Sequence, residues 1–210
     1  MKALKAFLQL LLVSTFAITA LPLTAHASSS ICDAVAGNLV SNCGFETGNF
    51  SGWTTGGNFE FTSVQSGAYY DYTGANSGNY YATLGPVGPD ATLSQTLTTS
   101  DGTDYSFSFY LASVGDDPSD FSAYWDGTQL LSLFDPNSGA AYTLHSYSVT
   151  GTGSDTIQLD FRDNPAYMAL DDISVAPSVA PTPEPGSLSL LLLGFAAAAG
   201  VGRRRLFARS

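Results

Sequence analysis

Between residues 37 and 176 short runs in which every second side chain is apolar are separated by Gly, Asn, Asp and Pro, and no window sustains the three-to-four spacing of a helix. Tyr105, Phe107, Phe109 and Leu111 alternate with Ser106, Ser108 and Tyr110, and Phe121, Ala123 and Trp125 repeat the pattern. Successive residues of a strand point to opposite faces, so each run predicts a strand with one buried and one wetted face. Asp126-Gly127 supplies a tight hairpin turn into residues 129–134. Residues 144–149, with a change of phase near Ser146, and the run Ile157, Leu159, Phe161 predict two more strands, and Leu93 and Leu97 mark another. With residues 39–45 and 171–175 this makes about eight to ten short strands separated by Gly, Asn, Asp and Pro. A β-sandwich of jelly-roll type is the economical all-β fold, because its two sheets bury each other's apolar faces.

The two ends of the chain obey different rules. Lys2 and Lys5 precede an apolar stretch over residues 7–20, and Ala25-His26-Ala27 offers the small residues that a signal peptidase requires, so residues 1–27 read as a signal peptide cleaved after Ala27. At the other end Pro183-Glu184-Pro185 is followed by an uncharged run over 188–202 and then by Arg203, Arg204 and Arg205. A membrane-crossing helix needs about 20 apolar residues, so this run would span only just. The arginines would stay on the cytoplasmic side, which places everything before Pro183 outside. The expected organisation is therefore a signal peptide at 1–27, one domain at 28–176, a Pro- and Ala-rich linker at 177–182 and a sorting segment with a transmembrane helix at 183–210.

This C-terminal segment resembles the PEP-CTERM sorting signal of Gram-negative bacteria, in which a Pro-Glu-Pro triplet, a short apolar helix and an arginine cluster follow in that order. The resemblance implies recognition by a membrane-embedded exosortase, cleavage at or near 183–185, and delivery through an inner-membrane intermediate to the cell surface or secreted matrix. An ordinary C-terminal membrane anchor is the alternative, with the same topology.

Setting the ends aside changes the charge balance. Lys2, Lys5, Arg203, Arg204, Arg205 and Arg209 all lie in them, so the formal charge of −11 hides a body in which 17 acids face Arg162 alone. Nucleic acid is excluded as a partner, because phosphate neutralisation needs clustered Lys or Arg. Divalent cations, neutral glycans or plain solubility remain compatible. Cys32 and Cys43 are the two cysteines of an exported chain and allow one pairing, so a disulfide is expected to pin the N-terminal segment to the first strand. Zinc is the poorer reading, since two thiolates with His145 far away lack a closed tetrahedral set.

The segment Asn38-Leu39-Val40-Ser41-Asn42-Cys43-Gly44-Phe45-Glu46-Thr47-Gly48, with Phe50, Gly52 and Trp53 after it, resembles the opening of galactose-binding-like jelly rolls, a superfamily that includes many bacterial carbohydrate-binding modules. Ser77-Gly78-Asn79-Tyr80-Tyr81, Tyr124-Trp125-Asp126-Gly127 and the closing Leu170-Asp171-Asp172-Ile173 fall in the order this resemblance implies. It further implies a structural calcium held by Glu46, Asp171 and Asp172, since first and last strands are neighbours and calcium takes six to eight hard oxygens. The same residues read otherwise as solvated acids at a strand edge, with Glu46 accepting backbone N–H bonds.

Exposed aromatic rings pack on the apolar faces of sugars, which makes Tyr69, Tyr70, Tyr72 and Tyr124 the candidate ligand contacts, while Trp53 and Trp125 are expected in the core. Tyr80 or Tyr81 must face inward if they share a strand. No catalytic constellation is expected: His145 has no partner group, no Gly-x-Ser-x-Gly elbow occurs, and Asp116, Asp117 and Asp120 read as a solvated loop. The functional expectation is a non-catalytic surface or matrix protein that binds extracellular polysaccharide. A structural surface protein without a small ligand, or a glycan-active hydrolase, are the alternatives.

Overall fold

The computed structural model describes residues 29–178, Asp116 excepted. The expected signal peptide, most of the linker, and the sorting segment with Pro183, Glu184, Pro185, its apolar helix and its arginines lie outside the described residues. Among the described residues no helix is long and apolar enough to cross a membrane.

Ten strands follow a single 3-10 turn at Ile31–Ala34. They are β1 (Thr54–Gly57), β2 (Ser63–Ser66), β3 (Tyr80–Leu84), β4 (Ala91–Thr98), β5 (Asp104–Ser113), β6 (Ser119–Trp125), β7 (Thr128–Phe134), β8 (Thr143–Thr150), β9 (Ser154–Asp163) and β10 (Met168–Pro177). They form two five-stranded antiparallel sheets, a first in the order β1-β4-β9-β6-β7 and a second in the order β2-β3-β10-β5-β8. Chain neighbours are often placed in opposite sheets, as the two-layer wrap of a sandwich requires.

The alternation read from the sequence sorts the two faces. Phe121, Ala123 and Trp125 of β6, Ile157, Leu159 and Phe161 of β9, and Phe107, Phe109 and Leu111 of β5 all enter one buried cluster between the sheets. Phe107 and Phe109 lean on Trp125 and Phe121 with centroids 6.4 and 5.5 Å apart. Each such ring removes enough apolar surface from water to contribute roughly 1.5–3 kcal/mol. One end of the core is closed by a chain of edge-to-face rings, Phe45 to Phe50, Phe50 to Phe59 and Phe59 to Phe161. Trp53 and Trp125 are buried as expected, and their indole N–H groups donate to the carbonyls of Asn42 and Thr150. Among the described residues the core runs from Cys32 to Ala176.

Three expectations change. Residues 39–45 form turns rather than a strand. Asn42 and Phe45 adopt φ of 51° and 57°, and a Cβ on Gly44 would fall on the Ser30 side chain, so the segment cannot extend alongside a strand. It touches β10 by single bonds only, Leu39 N–H to Val175 O and Ile173 N–H to Cys43 O. The Cys32–Cys43 disulfide is present but joins the 3-10 turn to this loop and not to a strand. The change of phase expected near Ser146 does not occur: β8 alternates regularly in unbroken register with β5, so His145, Tyr147 and Val149 turn inward and Leu144 is left 53% exposed.

Candidate functional site

The outer face of the second sheet is roofed. A segment from Tyr69 to Asn79 and the 3-10 turn lie over it, and Tyr72, Tyr81, Ala112 and Ala169 form a second buried cluster beneath. Tyrosine hydroxyls tie the roof down: Tyr81 donates to the Gly67 carbonyl, Tyr142 to the Gly74 carbonyl, and Tyr72 to the Tyr167 carbonyl. Buried phenols need such partners, and here each partner is a backbone carbonyl in or beside the covering segment or in the turn before β10.

Asp171 and Asp172 lie under this roof, 0% and 2% exposed. Regular pleating would send consecutive side chains to opposite faces, but a bulge between Asp171 and Ser174, with Asp172 at φ 52°, lets both carboxylates meet the same loop. Asp171 Oδ2 accepts the N–H groups of Asn76 and Ser77 at 2.8 and 3.2 Å, and its Oδ1 accepts the Asp172 N–H at 2.8 Å. Asp172 accepts hydroxyls from Ser30 and Ser77 and the Asn76 amide. Burial, then the neighbouring charge of Asp172, pushes Asp171 up to about 8. Burial, then the charge of Asp171, raises the Tyr142 phenol as well.

Glu46 sits on the other flank of the same loop. Its Oε1 accepts the N–H groups of Asn79 and Tyr80 at 2.8 and 3.0 Å, the alternative role the sequence allowed. The close approach depends on Gly78, where any Cβ would strike the Glu46 carboxylate. Among the described residues, the set of three or more acid, thiol or imidazole groups whose ligand atoms all lie within 4.8 Å of one another is Cys32, Asp33 and Cys43, and the two sulfurs there are spent in the disulfide. The carboxylate oxygens of Glu46, Asp171 and Asp172 thus do not all lie within 4.8 Å of one another. The aspartate pair fits a cation by charge, because two buried carboxylates face each other with hydroxyl oxygens of Ser30 and Ser77 beside them and with Arg162 placed in the other sheet.

The candidate ligand tyrosines separate into three settings. Tyr72 is 2% exposed and pins the roof, so it has no ring face to offer a sugar. Tyr69 and Tyr70 pack edge-on against Tyr167, with centroids 5.3 and 5.5 Å apart, and Tyr70 is 54% exposed. A side-chain hydrogen bond with Tyr69, then burial, holds the Tyr167 phenol up at about 12. Beside Tyr167 a shallow depression of about 160 Å³ is lined by Phe61, Val87, Asn164 and Pro165, with Phe61 59% exposed. Sequence reading missed Phe61 and Tyr167, which are distant in the chain and lie in loops without periodicity. Tyr124 lies elsewhere, on the open face of the first sheet, where its hydroxyl accepts from the Gln129 amide at 3.3 Å.

That open face is polar except at its β7 edge, where Phe134 stands opposite Asp120 and is 78% exposed. Thr92, Ser94 and Thr96 of β4, Gln158 and Asp160 of β9, and Ser122 of β6 point outward, and the directly opposed pair Asp120 and Arg162 forms an ion pair. His145 stacks on Phe109 at 5.3 Å, and burial lowers its pKa. Asp117 is exposed, and Asp116 lies outside the described residues.

Comparison with known proteins adds two findings. The model of the PEP-CTERM protein-sorting motif matches residues 181–205. The chain carries a PEP-CTERM sorting motif. The motif implies export, a membrane-anchored intermediate in Gram-negative bacteria and processing by an exosortase. Its sandwich is similar to TmCBM61, solved in complex with β-1,4-galactotriose, at 19% identity over 67% of this chain and 99% of that one, with a TM-score of 0.56. It is also similar to the enzymatically active domain of tailspike protein 4 of bacteriophage CBA120, at 14% identity, a TM-score of 0.50 and 67% of this chain, although the match spans 21% of that chain. A third likeness is the CBM22-1 xylan-binding domain of Paenibacillus barcinonensis Xyn10C, at 20% identity over 65% of this chain and 92% of that one, with a TM-score of 0.47. At these identities the first likeness, to TmCBM61, shows the all-β jelly-roll fold alone. No curated protein matches the chain.

Proposed function

We propose that this PEP-CTERM chain is a non-catalytic polysaccharide-binding module of the cell surface or secreted matrix. The observation that carries the reading is a ring cluster at one end of the sandwich, in which exposed Tyr70 and half-buried Tyr69 pack on half-buried Tyr167, and Tyr167 with exposed Phe61 lines the depression. Aromatic faces complement the apolar faces of pyranose rings, and Asn164 stands beside them to bond a hydroxyl. The depression is smaller than the roughly 300 Å³ that encloses a whole ligand, so it suits a ring or two of a long polymer lying across it. The acidic body favours neutral over acidic polymers. In the same reading Asp171 and Asp172, with the hydroxyls of Ser30 and Ser77, hold calcium as a structural ion that neutralises the buried pair. Glu46 orders the adjoining loop without ligating it.

The test is thermal unfolding and calorimetry of residues 28–178 against a panel of neutral extracellular polysaccharides, with calcium or with chelator. A ligand that prefers the native state raises the midpoint. One polysaccharide should raise it for the wild type and not for Tyr70→Ala or Tyr167→Ala, both of which should fold. A panel without any response, or binding that survives both substitutions, would leave a structural surface protein as the better account.

A further inference from the structure

Tyr69, Tyr70 and Tyr167 bring three phenols together, and the backbone around them fixes where each stands. Tyr69 and Tyr72 exchange backbone N–H···O bonds at 3.1 and 3.0 Å, so Tyr70 and Asp71 form the tip of a tight turn. Tyr167 closes the turn between β9 and β10, where the Tyr72 hydroxyl holds its carbonyl. Its ring lies against Gly85, at which a Cβ would stand 2.5 Å from two of the ring carbons. Tyr69 and Tyr70 then meet that ring edge-on, with centroids 5.3 and 5.5 Å away, and the Tyr69 and Tyr167 side chains share a hydrogen bond. The other oxidisable groups are shielded: Trp53, Trp125 and Met168 are buried, and Cys32 and Cys43 are joined to each other. Tyr70, by contrast, is 54% exposed. A one-electron oxidant at this end of the sandwich therefore meets phenols first.

We propose that this cluster is an oxidative modification site, at which Tyr167 couples covalently to Tyr69 or Tyr70 when the chain meets hydrogen peroxide and a haem peroxidase. Each of the two phenols gives up one electron and one proton. The resulting phenoxyl radicals join through the ring carbons beside their oxygens, and the hydrogens on those carbons move to the oxygens as the rings regain aromaticity. The peroxide O–O bond breaks, takes up the two electrons and two protons, and leaves as two waters. The product keeps both hydroxyls and has two hydrogens fewer. Exposed side chains change rotamer within nanoseconds, so the Tyr70 ring reaches the coupling geometry from its edge-on packing. The new bond joins residues nearly a hundred positions apart, ties the tip of the roof to the turn before β10, and restricts the unfolded chain as any long-loop cross-link does. This inference rests on the ring contacts and stands whether or not the patch binds polysaccharide.

Arg162 supplies the assay, because the chain from Asp163 onward holds Tyr167 as its only tyrosine. After trypsin cuts the reduced, unfolded chain there, any tyrosine–tyrosine bond that holds the two pieces together includes Tyr167. The chain with its tail, dilute in detergent, is treated with hydrogen peroxide and a haem peroxidase, and the fraction of monomer size is then reduced, unfolded and digested. The pieces on either side of Arg162 should stay joined on a denaturing gel. The joined peptide should show dityrosine fluorescence and a mass lower by two hydrogen atoms, and fragmentation should place the partner at Tyr69 or Tyr70. The coupled chain should also unfold at a higher midpoint than the untreated one. Tyr167→Phe, and the double variant Tyr69→Phe with Tyr70→Phe, keep the rings and should lose the link. Pieces that separate in the treated wild type would overturn the proposal. So would a link that survives the double variant, or one that forms equally well when the chain is oxidised in denaturant.

Discussion

The outer face of the first sheet meets solvent with threonines, glutamines, an ion pair and Tyr124, whereas the outer face of the second sheet lies beneath a folded segment and buries two carboxylates and two tyrosine rings. Both faces belong to five-stranded sheets that share one core, so the difference arises from what the loops do. The open face can vary its side chains at little cost, as exposed positions generally can. The roofed face has spent its polar groups on one another, and each buried acceptor there is matched to a donor from a particular residue. A lost partner on that side leaves a desolvated group behind.

The sharpest test of this contrast is Tyr72→Ala. Removing a buried ring and the hydroxyl that holds the Tyr167 carbonyl should cost about 3–5 kcal/mol in chemical denaturation, while Tyr124→Ala on the open face should cost under about 0.5 kcal/mol. Similar losses at both would erase the distinction. Next, reducing Cys32–Cys43 should cost about 3 kcal/mol, and hydrogen exchange should place the new mobility at the 3-10 turn and the Asn76–Ser77 loop and not in β4 or β9.

A pH series in chelator gives a smaller effect. Asp171 is held protonated in the fold up to about 8, whereas the unfolded chain releases that proton near the ordinary carboxylate value. The native state thus binds the extra proton across this window. This contribution to stability is complete below about pH 4 and is lost as pH rises towards 8. Asp171→Asn should flatten the profile over that range, and calcium should flatten it for the wild type. Identical profiles for wild type and variant in chelator would remove Asp171 as the cause. The least costly change is Tyr70→Ala at the end patch, which should move stability by a few tenths of a kcal/mol and polysaccharide retention by far more.

Period-two alternation made the sandwich legible, because β5, β6 and β9 each bury every second residue with no competing signal. The same rule failed at residues 39–45, whose apolar content resembles a strand. There a disulfide, the tight Gly44–Ser30 contact and two left-handed residues override local preference. It also could not anticipate that Asp171 and Asp172 share a face, since that depends on a bulge formed by pairing with a distant strand. The candidate site was half visible for a similar reason. Tyr69 and Tyr70 are adjacent in the chain, but the rings that complete the cluster, Tyr167 and Phe61, reach it from the far end of β9 and the approach to β2.

Arg162 sits on β9 between β4 and β6, paired with Asp120, and no other lysine or arginine occurs from residue 28 to 178. Proteases that cut after basic residues need one in a pliable, extended stretch, and this one is locked in the middle of a sheet. A domain built this way is silent to trypsin-like enzymes until it unfolds. Even then it offers a single cleavable bond, so a tryptic digest of the native sandwich should leave it whole and a digest of the reduced, unfolded chain should yield two pieces.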